Sequence, residues 1–201
     1  MRTFQKAISY IFHPLFTPIS GTFAYFLITP KYSPLELQSG NILPIFILTV
    51  IIPIITFLIL KNIGYVHSVQ LPTIKERKYP LFINLVLLLM IVLKVIPNNY
   101  VIELYFFFVG LVGATFATIV LLFFKIKSSM HLLGMGSLLM FLINLSIHFE
   151  INITIAISFL ILAIGLVATS RLYFKAHNKI ELLIGLCLGL ISQLLTVKYW
   201  L

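Results

Sequence analysis

The chain contains no aspartate, one cysteine, one tryptophan and few charges of any kind: only 9% of its 201 residues are charged. A soluble domain carries about 25% charged residues, so a soluble globular enzyme, a free nucleic-acid binder and a disordered chain are excluded. Cys187 stands alone in an apolar run, which rules out a disulfide framework and a thiolate metal site. With no aspartate, the carboxylate clusters that hold Mg²⁺ for phosphotransfer are missing. No His-x-x-x-His spacing and no glycine-rich phosphate loop is present either. No metal and no cofactor is therefore expected. The N-terminus lacks a small-residue cleavage site after its apolar stretch, so it reads as retained sequence.

What remains is hydrophobic: 61% of the residues, with a mean hydropathy of +1.13. The apolar runs are continuous rather than alternating, which argues for helices and against a β-barrel. They lie at Ala7–Thr29, Ile42–Leu60, Leu81–Ile96, Val101–Phe124, Leu132–Ile147, Ile151–Thr169 and Leu182–Val197. Because a span needs about 20 apolar residues, the expectation is an all-α integral membrane protein. Residues 1–201 form one domain, a bundle of six to seven transmembrane helices. The first run is the weakest, with His13-Pro14 and Pro18 inside it, and a kink is expected there. The third and fifth are short. Breakers fall between runs at Pro30-Lys31, Pro72, Pro80, Pro97-Asn98-Asn99 and Lys125–Ser129.

The polar residues are unevenly distributed. Those after the second, fourth and sixth runs include Lys75, Glu76, Arg77 and Lys78, then Lys127, Ser128, Ser129 and His131, then Ser170, Arg171, His177 and Glu181. An even number of crossings separates these clusters, so all three face one side of the membrane. Of the 14 lysines and arginines, only Lys31, Lys94 and Lys198 fall on the other side. By the positive-inside rule the polar clusters face the cytoplasm. The formal net charge of +9 fits contact with anionic lipid headgroups rather than nucleic acid.

The third cluster, SRLYFKAHNKIE, resembles the S-R-x5-H-x3-D motif of the type 2 phosphatidate phosphatase superfamily, with Ser170, Arg171 and His177 in register and Glu181 in place of Asp. KIKSSMH resembles a relaxed P-S-G-H motif, matched at Ser129 and His131, with Ser128 and Met130 replacing Pro and Gly. TIKERKYP only loosely resembles K-x6-R-P: Lys75 and Arg77 are the right types near Pro80, but the spacing is compressed. Two apolar runs separate the first two motifs here, whereas most members carry them in one loop.

The resemblance implies a metal-independent phosphatase acting on a membrane lipid phosphate or polyprenyl (di)phosphate, in a bacterial inner membrane. It implies His177 as nucleophile, Glu181 as its orienting carboxylate and His131 as proton donor. Arg171, Ser129, Lys75, Arg77, Lys127 and Ser170 are the phosphate-binding candidates. Independently, phosphoryl transfer needs a nucleophile, an acid and cations around the equatorial oxygens, and these residue types supply all three. Glu181 follows His177 by four positions, one helical face. Arg171 and His177 stand about 240° apart on an unbroken helix, so a helix end must fall between them if they converge.

The plainer readings stand beside this. Arg171 alone reads as an interfacial anchor, and His13, His67 and His148 as interfacial belt residues. Ser128-Ser129 reads as a helix boundary, and Gly134 and Gly136 as sites of close packing. Two rival functions remain: a lipid-binding or scaffold protein on the same fold without turnover, and a small transporter using Lys94, Asn144 and His148.

Overall fold

The computed structural model describes residues 1–68, 73–96 and 100–201. Among them the chain is helical, and seven helices or helix pairs are long and apolar enough to cross a bilayer. Helix is the form in which a single segment satisfies its own backbone in hydrocarbon. The protein is an all-α integral membrane protein. Two of the expected breakers, Pro72 and Pro97-Asn98-Asn99, lie outside the described residues.

The first span is broken, as His13-Pro14 implies. α1 (Arg2–Ile11) gives way to a 3₁₀ turn, Pro14–Phe16, and then to α2 (Thr17–Ile28). The His13 side chain accepts the Leu15 N–H at the start of that turn. The break changes partners: α1 packs along α8 (Thr154–Tyr173), whereas α2 packs on α7 (Met130–His148) and α6 (Ile102–Phe123).

The second span, α3 (Leu35–Phe46) and α4 (Ile52–Asn62), is joined through a π turn at Ile47–Ile51. Pro53 has no N–H to continue the α ladder, and the helix widens directly before it. The third span begins earlier than hydropathy indicates. α5 (Ile74–Met90) already contains Lys75, Glu76, Arg77 and Lys78, because the Thr73 hydroxyl accepts the Glu76 N–H and starts the helix. This cluster is therefore a helical first turn, not a loop.

The core is built on α7, packed most closely by α9 (Lys179–Val197). Three glycines allow it. A Cβ at Gly185 would strike the Ser129 carbonyl, one at Gly189 the Leu133 carbonyl, and one at Gly136 would come within 2.8 Å of the Leu186 carbonyl. Here small residues let two helix backbones touch, the usual basis of helix pairing in lipid. Deeper in, Phe107 stacks on Phe141 at 4.3 Å, and Gln193 donates to the Phe107 carbonyl.

Candidate functional site

Four helix ends meet at the membrane face where α5, α7 and α9 begin and α8 ends. α8 stops at Tyr173, and Lys175 turns the chain with a positive φ of 50°. The Ala176 N–H then closes back on the Arg171 carbonyl. This is the helix end that convergence of Arg171 and His177 requires.

His177 is buried. Its Nδ1 lies 2.6 Å from Glu181 Oε2, so Nδ1–H donates to the carboxylate and the lone pair sits on Nε2. Nε2 in turn faces Arg77 Nη2 at 3.4 Å. Arg77 is held from the other side by donating to the Ser128 carbonyl at 3.0 Å. Burial first, then the Arg77 charge, pushes the His177 imidazole down from 6.5 to about 4, although Glu181 pulls it upward. At neutral pH the ring is uncharged, with its Nε2 lone pair turned to the Arg77 cation.

The other half of the site comes from α1, α7 and the end of α8. His131 Nε2 donates to the Ser9 carbonyl at 3.2 Å, and its ring meets His13 edge-on at 5.3 Å. Arg171 Nη1 donates to the Ser9 hydroxyl at 3.4 Å, while Arg171 Nε is buried and has no hydrogen-bond partner among the described residues.

Arg77, His131, Arg171 and His177 line one cavity of about 1050 Å³, with Ser9 and His13 in the wall and Arg2 and Lys6 at its rim. From this polar end the cavity runs along α4 and α5 to Leu88, Leu111 and Thr115. Arg77 to Leu88 is about 16 Å along the helix, roughly the half-thickness of a bilayer core. The volume is at the upper end for small-molecule sites. The shape suits a charged head at the interface and one apolar chain in the membrane.

Several expected site residues take other roles. Ser129 is fully buried behind the wall: its hydroxyl accepts the Leu132 N–H and its own N–H donates to the Glu181 carbonyl, so it caps α7 rather than facing a phosphate. Ser170 is also fully buried; its hydroxyl donates to the Gln5 carbonyl and meets Ser9 Oγ at 2.7 Å, tying α1 to α8. Lys75 is exposed and Lys127 half-buried, and neither lines the cavity, because the helical phase that turns Arg77 inward turns Lys75 away. Glu181 stands behind His177 instead of lining the cavity itself.

Conversely, Ser9 and His13 were not among the sequence candidates. The signal available was His13-Pro14 breaking an apolar run on the motif side. His148, read as a belt residue, turns inward to Glu103 at 3.6 Å on the opposite membrane face. There Glu103 also receives Lys31 at 2.6 Å and the Tyr25 hydroxyl at 2.9 Å. Among the described residues no three His, Cys, Asp or Glu side chains are grouped as metal ligands. No protein-family model matches the chain, and no curated protein or solved structure is similar to it.

Proposed function

We propose that this protein is a membrane lipid-phosphate phosphatase that works through a phosphohistidine without a metal. The observation that carries the reading is the Glu181–His177–Arg77 row, a carboxylate-oriented neutral imidazole aimed at a guanidinium within a cavity that also holds His131 and Arg171. The motif resemblance supports it, and its proposed setting is a bacterial inner membrane.

The chemistry follows from that row. A lipid phosphate draws Arg77 off the lone pair and onto a phosphate oxygen, which frees Nε2 to attack phosphorus. The N–P bond forms, the P–O bond to the lipid breaks, and His131 gives a proton to the departing oxygen. Arg77 and Arg171 meet the charge on the equatorial oxygens in a site largely screened from water. Water then attacks phosphorus, His131 takes its proton, the N–P bond breaks, and inorganic phosphate leaves. The lipid chain stays in the apolar branch throughout.

The test is phosphate release from a panel of acyl and polyprenyl phosphates in nanodiscs, with and without EDTA. Turnover should survive EDTA, fall to background in His177→Ala, and yield to vanadate, which copies the trigonal-bipyramidal geometry. Turnover that is lost with EDTA, or retained by His177→Ala, defeats the proposal. A binding protein without turnover is the second reading, favoured by the Ser129 hydroxyl being occupied as a helix cap. It predicts saturable lipid-phosphate binding with no release.

A further inference from the structure

We infer that Ser9, on the first helix, is a positioning residue that sets both the proton-carrying nitrogen of His131 and the orientation of Arg171. The inference deepens the phosphatase reading and rests on it.

A carbonyl oxygen can only accept, so the contact between His131 Nε2 and the Ser9 carbonyl fixes a hydrogen on Nε2. That hydrogen stays with the backbone through the reaction. The mobile proton must then ride on Nδ1: present to protonate the leaving lipid oxygen, absent afterwards, and regained from the attacking water. A second contact pins the ring, since His13 meets it edge-on from the turn that follows α1.

The Ser9 side chain does a separate job. The Ser170 hydroxyl gives its hydrogen to the Gln5 carbonyl, so the Ser9 hydroxyl gives its own to Ser170 Oγ. What Ser9 Oγ has left is lone pairs, and one of them accepts Arg171 Nη1. The guanidinium is thereby held at one nitrogen, while its buried Nε has no partner among the described residues. An oxygen of the substrate phosphate supplies what Nε lacks. One residue of α1 thus aligns the acid–base group through its backbone and the anion-binding group through its side chain.

The two functions separate experimentally. Ser9→Ala keeps the carbonyl and removes the hydroxyl, so KM for the lipid phosphate and the inhibition constant of vanadate should each rise about tenfold. kcat should change by less than about threefold. Ser170→Ala cuts the tie between α1 and α8, so it should lower kcat as well. The tautomer can be read without any substitution at Ser9, from ¹⁵N spectra of histidine-labelled protein in nanodiscs, with the His131 signal assigned by its loss in His131→Gln. Nε2 should keep its hydrogen in the wild type whether or not Nδ1 is also protonated, and a mixture of neutral tautomers should appear in Ser170→Ala.

A neutral His131 that carries its hydrogen on Nδ1, with Nε2 bare, overturns the inference. So does a Ser9→Ala protein with unchanged KM and vanadate inhibition but a lower melting temperature, because that describes a packing residue. If the wild type hydrolyses no lipid phosphate, the phosphatase reading fails, while the ¹⁵N spectra and vanadate affinity measured by calorimetry still decide the role of Ser9.

Discussion

Burial and two named neighbours, Arg77 and Glu181, dominate the proton balance at His177, and each neighbour can be removed singly. Burial and Arg77 hold the imidazole down at about 4, and Glu181 opposes them. On the proposed mechanism the nucleophile must be neutral, so kcat/KM should rise through a midpoint near pH 4, hold a plateau, and fall again where His131 loses the proton it must donate. Removing a lowering charge raises the midpoint: Arg77→Gln should shift the acid limb upward, besides slowing the reaction. Glu181→Gln removes a raising group, so its limb should shift downward. Glu181→Gln should also cut kcat by about 10²-fold or more, since Nδ1 is then free to take either tautomer, while binding of a lipid phosphate is kept. Full activity in Glu181→Gln would mean that the carboxylate does not orient the ring. His177 and Glu181 were legible in the sequence because their geometry is local, four positions apart. Ser9 was not, because its partner Ser170 lies 161 positions away and only tertiary packing joins them. Ser129 and Ser170 were legible as motif positions but not in their roles, since a hydroxyl's partner depends on backbone that the sequence does not display.

Among the helices, α7 and α9 carry the tightest contact, and it is made of backbone. A Cβ at Gly189 has no flexible neighbour to move, since it meets the Leu133 carbonyl and the Ser137 N–H. Gly189→Val should therefore cost about 3 kcal/mol, read as a large fall in melting temperature or loss of monodisperse protein in detergent. Gly165→Ala on α8 is the control: nothing lies within 4 Å of the added carbon, so stability should hold or rise slightly. Equal loss in both variants would show that the glycines matter for another reason than close approach. The apolar runs themselves were plain in the sequence, but their ends were not. Hydropathy starts the third run at Leu81, whereas α5 starts at Ile74 and carries Arg77 on its inner face. Charges at a helix start look like a loop to any hydropathy measure, although the N-cap at Thr73 makes them helical.

For the whole molecule, the two membrane faces have different chemistry. One holds the open cavity with its histidines and arginines; the other holds a buried Glu103, met by Tyr25, Lys31 and His148. Glu103→Ala should cost about 2 kcal/mol by leaving these partners without their acceptor, yet leave KM for the lipid phosphate unchanged. An altered KM would mean that the faces are coupled. The topology has its own test. With Cys187 first replaced by serine, single cysteines at Lys61, Lys125 and Lys175 should react with a membrane-impermeant maleimide from one side, and a cysteine at Lys198 from the other. The broken first span also constrains how the protein is made. Ser9 of α1 precedes the groups it aligns by 122 and 162 residues, since His131 arrives with α7 and Arg171 with α8. Until α7 and α8 enter, α1 lacks the partners it docks on in the folded protein. A nascent chain that stops short of α8 therefore holds no assembled pocket around His131 and Arg171, however many of the earlier spans have already entered.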